Sequence, residues 1–368
     1  MPHDFMSQPP KRPRHFASDN YAGVCPEAWQ ALTDCNSGHV KSYGEDQWTA
    51  SAADFLRDFF EKQCEVFFVF NGTAANSLAL ASTCQSYHSI LCHETAHIET
   101  HECGAPEFFS NGTKVLLLPG EHGRITPAAI EGAVKRRSDI HYPKPRAVSL
   151  TQVTELGTAY SVAEVQAIGE TARRLDLRLH MDGARFANAL VSLNCAPKEI
   201  TWQAGVDVLC FGGTKNGMAV GDAVVFFNLE MAREFDYRCK QAGQLASKMR
   251  YLSAPWVGVL KNGAWKTHAR HANRMARVLV SKLKTFAGVQ VLHPVEANMV
   301  FVRLPAGVIP ALWAKGWHFY PHAQPDEARL VCSWDTRAED IDAFVADVRA
   351  MVGPKKATRE IRKKAENL

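Results

Sequence analysis

A series of short apolar runs, each closing on a small or ionisable residue, restricts this chain to few architectures. Val66 to Phe70 leads into Asn71-Gly72-Thr73, Ser89 to Cys92 into His93-Glu94-Thr95-Ala96-His97, and Arg146 to Gln152 into Thr154. A run through His180 and Met181 reaches Asp182, and Asp207 to Phe211 enters a glycine-rich turn carrying Lys215. Helix start signals lie between such runs. In TPAAIEGAVKRR, Thr126 is an N-cap with Pro127 at the first helical position. In SVAEVQAIGETARRLD, Ser161 and Glu164 form a capping box. Strands alternating with helices imply a largely parallel sheet covered by helices on both faces. Sites on such sheets lie beyond the carboxyl ends of the strands, which is where Gly72, His97, Thr154, Asp182 and Lys215 all fall.

The chemistry concentrates between Leu177 and Gly221, where LHMDGAR delivers Asp182 and DVLCFGGTKNGMAVG delivers Lys215. Singly, each residue reads as an ordinary surface charge. Together, in neighbouring loops of small residues, they suit an aldehyde cofactor with a pyridine nitrogen: the lysine forms a Schiff base and the carboxylate keeps the ring nitrogen protonated. HMDGAR followed by GGTKNGMAVG resembles the threonine aldolase family of pyridoxal-phosphate enzymes of fold type I. The departures are Thr214 before the lysine, Asn216 after it, and Ala219 where proline is common.

The resemblance covers about residues 16 to 352. It implies an α/β fold: a large domain with a mostly parallel seven-stranded sheet flanked by helices, then a small α/β C-terminal domain. It implies pyridoxal 5'-phosphate as cofactor and retro-aldol cleavage of L-threonine, L-allo-threonine and related β-hydroxy-α-amino acids to glycine and an aldehyde. Bulky substrates such as phenylserine stay open, and the same residues could support an amino-acid racemase or a β-eliminating lyase. A homodimer or homotetramer with active sites at subunit interfaces is expected.

The family's residues carry over one by one. A strand, a small-residue turn and a helix N-terminus make an anion site, and the family's S-G-T-x-x-N run lies at the matching place, so the cofactor phosphate is expected on Gly72, Thr73 and Ala74, with Asn71 replacing the serine. A-H-I-E aligns with the histidine that stacks on the cofactor ring, pointing to His97 as stacking residue and general base. Arg185 and Arg329 resemble the carboxylate clamp, since a guanidinium fork matches a carboxylate bidentately. Ser18 resembles the serine touching the substrate carboxylate, and Tyr43, in SYGEDQWT, a tyrosine that can reach a neighbouring subunit's site. Arg250 lies near an arginine position suited to the cofactor phosphate. Thr154 and Glu155 occupy the place of an E-N-T-H-like segment without its histidine.

His93-Glu94-Thr95-Ala96-His97 also matches H-E-x-x-H, with His101 as a third imidazole, so a zinc protease acting through His93, Glu94 and His97 is the rival reading. Against it, Ser89 to Cys92 reads as a strand, which puts His93 and Glu94 at a strand end rather than within a helix. His101 also follows too closely for the metzincin spacing. No metal is expected.

Composition removes other classes. No apolar run is long enough for a membrane span. The net charge of +4 is modest and gathers in Lys11-Arg12-Pro13-Arg14 and near the C-terminus, which gives nucleic-acid binding little support. The ten cysteines include no C-x-x-C pair and read as buried free thiols of a reducing compartment, and the N-terminus lacks an apolar signal core, so a cytoplasmic location is expected. The expected boundaries are a flexible arm over 1–15, a large domain over 16–264, a small domain over 265–353 and a charged tail over 354–368.

Overall fold

The computed structural model describes residues 14–352. The charged tail and most of the N-terminal arm lie outside the described residues. Within the arm, Arg14 is tied down, its Nε donating to Asp335 at 3.2 Å.

Seven strands form the main sheet: β1 Glu65–Val69, β2 His88–His93, β3 Lys114–Leu118, β4 Lys144–Thr151, β5 Arg178–Gly183, β6 Val208–Gly212 and β7 Asp222–Phe226. Their order is β1-β7-β6-β5-β4-β2-β3. From β3 across to β6 every pairing is parallel, while β7 runs antiparallel to both β6 and β1. β1 and β6 therefore point the same way, and β7 begins at the edge where the other six end. The mostly parallel seven-stranded sheet matches the expectation. Strands β2, β5, β6 and β7 are buried along nearly their whole length, as strands covered on both faces must be.

The local start signals hold. Thr126 caps Pro127–Arg136 through the Ala129 amide, and the Ser161–Glu164 capping box opens Val162–Arg174. The segment after β7, which reads as one long helix, is instead two, Phe235–Gln241 and Arg250–Leu260. Gly243 takes φ +71° between them, a conformation open to glycine and closed to a continuing helix, and the Gln244 side chain turns back to accept the Phe70 amide at 2.9 Å.

The helix Ala264–Leu283 belongs to two cores. Ala269 packs with the main sheet, while Met275, Leu279 and Leu283 pack into a second core. That core sits on an antiparallel sheet of β8 Gln290–Val291, β9 Met299–Arg303, β10 Tyr320–Pro321 and β11 Glu327–Val331, ordered β10-β11-β9-β8, and is closed by the amphipathic helix Ala338–Met351. Phe16, expected with the large domain, is buried in this second core, and its main chain bonds to His318 and Val331.

Candidate active site

The carboxyl edge of the main sheet carries two adjoining cavities. The inner one, ≈ 250 Å³, is lined by Gly72, Thr73, Asn76, Asp182, Thr214 and Asp222 among others. The outer one, ≈ 690 Å³, brings Ser18, Glu155, Arg185, Phe301, Tyr320 and Arg329 together. Asn20, His97 and Lys215 line both. Residues far apart in sequence converge here because each ends or follows a strand of one sheet, while β9, β10 and β11 supply the outer wall.

Asp182 closes β5 and is buried; its Oδ1 accepts the Ala184 amide at 3.0 Å and its Oδ2 the Asn76 side chain at 3.1 Å. Lys215 sits in the short turn Thr214–Asn216 after β6. A Cβ on Gly213 would lie 2.6 Å from the Gly221 carbonyl oxygen, so no side chain fits where this turn begins.

At the start of the helix Gly72–Thr83, Asn71 is the N-cap and its Oδ1 accepts the Ala74 amide at 2.9 Å. The Ala74 N–H is thus already occupied, and the donors left at this helix start are Gly72 and Thr73. Arg250 lines neither cavity of its own chain; its Nη1 donates to the Ser37 and Gly38 carbonyls and its guanidinium lies over the Tyr251 ring. Tyr43 is exposed beneath Lys240, outside both cavities of its own chain.

His97 opens the short helix His97–Thr100 and its Nδ1 meets Glu102 Oε1 at 2.9 Å. Burial alone would lower its pKa, but the Glu102 bond and the charges of Asp182 and Glu155 prevail and hold it above the ordinary 6.5. Glu102 is buried and also accepts from Asn76 Nδ2 at 2.8 Å. Sequence reasoning missed it, because nothing in the sequence marks this acid except its place shortly after His97. His101 stacks on His97 with ring centroids 5.3 Å apart.

The zinc reading fails on placement. His93 ends β2 rather than lying on a helix with His97, and its ring is held by Thr95 Oγ1 and the Gly120 carbonyl.

Arg185 is buried, and its Nε and Nη2 grip Asp19 at 2.7 and 2.9 Å. Burial would raise Asp19, but Arg185, the nearby Lys215 charge and Asn298 hold its carboxyl below the usual range. One edge of the Arg185 fork is thus spent on Asp19, a partner the sequence did not reveal. Arg329, on β11, donates Nη2 to the Ala17 carbonyl at 3.3 Å, and its buried Nε has no partner among the described residues. Burial, then the Arg185 charge, lowers its pKa. Two guanidiniums facing one cavity, with a buried donor unmet, call for an anion. Ser18 lines the same cavity, its Oγ accepting the Asn20 amide at 3.2 Å. Thr154 lines neither cavity; its Oγ1 bonds the His122 carbonyl and Thr158.

These residues fit an aldehyde cofactor with a phosphate: an amine at Lys215, a carboxylate at Asp182, a flat ring at His97 and two amides at a helix start. The sheet and this edge define an α/β class of fold type I, and the comparisons narrow it. The beta-eliminating lyase family model matches residues 15–306, and the chain belongs to that family, among its threonine aldolases. It is 60% identical to the low specificity L-threonine aldolase of Pseudomonas aeruginosa, covering 92% of this chain and 98% of that one. It is 28% identical to the Escherichia coli protein of that name over 84% of this chain and 91% of the other. The solved structure of Leishmania major threonine aldolase superposes with a TM-score of 0.86 at 27% identity, covering 91% of this chain and 98% of that one.

Proposed function

We propose that this protein is a pyridoxal-phosphate-dependent aldolase that cleaves L-threonine, L-allo-threonine and related β-hydroxy-α-amino acids to glycine and an aldehyde. The observation that carries the reading is the meeting, at His97 and Lys215, of an inner cavity suited to the cofactor and an outer one that presents two guanidiniums. When bound, the cofactor supplies an aldehyde that condenses with amines and a pyridinium ring that accepts the electrons of a bond broken at the substrate Cα.

Lys215 provides the amine that links to the cofactor. Asp182, held by Ala184 and Asn76, faces the ring nitrogen and keeps it protonated. Gly72 and Thr73 seat the phosphate. Arg329 and the free edge of Arg185, with Ser18, would hold the substrate carboxylate and so orient the bonds at the substrate Cα.

His97 stacks on the ring and takes the β-hydroxyl proton, directly or through a water. With Nδ1 on Glu102, Nε2 is the atom free for this step. A base must be unprotonated, so the rate falls as pH drops through the raised His97 pKa. The assembly is a homodimer or homotetramer in the cytoplasm, with the exposed Tyr43 reaching a neighbouring subunit's site.

Visible absorption of the purified protein tests the cofactor assignment. A band that shifts on adding glycine, and that the Lys215→Ala protein lacks, supports it. A colourless protein that binds no pyridoxal phosphate refutes it.

A further inference from the structure

Asp222 lines the inner cavity. It is the first residue of β7 and is buried. Its Oδ1 accepts the Gly213 amide at 2.9 Å, with the Thr214 amide and hydroxyl each at 3.4 Å, so this oxygen anchors the turn that carries Lys215. Its Oδ2 has no protein hydrogen-bond partner among the described residues. That oxygen lies against Gly72, where a Cβ would come within 3.2 Å of it, and Asp222 lines the same cavity as Gly72 and Thr73. One carboxyl therefore ties down the lysine turn and also borders the two amides that make the anion cradle.

An ionised carboxylate beside a phosphate repels it, and burial sharpens the repulsion. A proton on Oδ2 turns the contact into a hydrogen bond instead. We propose that Asp222 is a phosphate-holding residue of the cofactor site, donating a proton from Oδ2 to a phosphate oxygen seated on Gly72 and Thr73 while Oδ1 keeps the Lys215 turn in place. The inference rests on the cofactor reading above.

The surroundings make Asp222 easier to protonate than a free carboxyl. Burial pushes the Asp222 carboxyl above its ordinary value, the Gly213 and Thr214 amides and the Lys215 charge pull it down, Asp182 pushes it up, and the net direction is upward. Cys210 on β6 is a neighbouring titratable group; burial first, then Asp182, Glu102 and Asp222, drives its thiol far upward, so it stays neutral. The proton balance is simple. At a pH above the raised Asp222 pKa the empty site holds a carboxylate, and the free phosphate ester is mostly a dianion, its second pKa being about 6, so forming the contact there takes up one proton from solvent.

Pyridoxine 5'-phosphate, which has the phosphate but no aldehyde, separates this contact from the chemistry of Lys215. Calorimetric titration of the cofactor-stripped full-length protein in two buffers of different ionisation enthalpy reads the proton uptake directly. The expected result is an uptake that approaches one proton on the alkaline side, where Asp222 is ionised before binding, with a Kd that weakens there by up to about tenfold per pH unit. Asp222→Asn keeps an acceptor and an N–H donor, so it is expected to bind without proton uptake and more tightly than the unmutated protein at high pH. No proton uptake by the unmutated protein, or binding by Asp222→Asn weakened tenfold or more at every pH, overturns the proposal. The visible band of the pyridoxal-phosphate-loaded protein distinguishes the failures. A band that persists beside a flat pH profile removes only the role of Asp222, whereas a missing band removes the cofactor reading and this inference with it.

Discussion

Arg185 and Asp19 show how much of the proposed substrate grip depends on a pair the substrate need not touch. Both are buried, and Asp19 holds one edge of the fork. Breaking a buried pair by removing one partner costs about 3–5 kcal/mol, because the other charge is left stranded. Asp19→Asn is therefore expected to lower unfolding stability by that order in denaturant titrations. The folded pKa of Asp19 is depressed below 3.8, so its contribution is present above that value and is lost as pH falls through the folded pKa. The variant is expected to lack this acid-range loss. His97 behaves in the opposite sense. Its folded pKa is raised above 6.5, so its stabilising contribution is full below that value and fades as pH climbs through the folded pKa, while the base it provides becomes more available. Glu102→Gln removes the charge behind Nδ1. The acid limb of the pH–rate profile is expected to move to lower pH, with a loss in kcat smaller than the about 10²–10⁴-fold that a positioned base contributes. An unmoved limb would show that His97 is not the titrating base. Neither Asp19 nor Glu102 was legible beforehand as a partner. Arg185 is 166 positions from Asp19, and a carboxylate's neighbour across such a gap leaves no local pattern.

Elements were more legible than side-chain partners, because caps and strand ends are written in adjacent residues. Thr126, Pro127, Ser161 and Glu164 start their helices as read, and Gly72, His97, Asp182 and Lys215 fall at the strand ends that build the edge. Asn71 uses the Ala74 amide as its own cap, which the sequence could have shown, since asparagine before a helix is itself a capping signal. After β7 the chain forms two helices rather than one, with Gly243 at positive φ between them. The turn bearing Lys215 is sensitive to a single methyl group. Gly213→Ala places a Cβ against the Gly221 carbonyl and the Met218 sulfur, and the main chain carrying Lys215 has to move. A loss of about 1–3 kcal/mol is expected for such overpacking, together with weakened retention of pyridoxal phosphate; thermal unfolding and absorbance of the loaded protein check both.

At the scale of the whole molecule, the substrate cavity lies between two sheets, with Lys215 and Arg185 from one and Arg329 and Phe301 from the other. The segment from Phe16 to Asp19 stitches them together. Phe16 is buried in the second core, Ser18 lines the cavity and Asp19 holds Arg185. Phe16→Ala is expected to cost about 3–5 kcal/mol, as for other buried phenylalanines, and to raise KM more than it lowers kcat, since it loosens the carboxylate grip and leaves Lys215 in place. The alternation of strands and helices announced the main sheet, but this stitch could not be read from a segment that looked like the start of the large domain. The central claim is that Lys215 and its neighbours direct cleavage of the Cα–Cβ bond. It is tested most directly by measuring the products formed from L-threonine by the pyridoxal-phosphate-loaded protein beside its Lys215→Ala variant. The account predicts glycine and acetaldehyde in equal amounts from the first and almost none from the second. Release of ammonia without glycine, simple inversion at Cα, or an undiminished rate in the variant would contradict it.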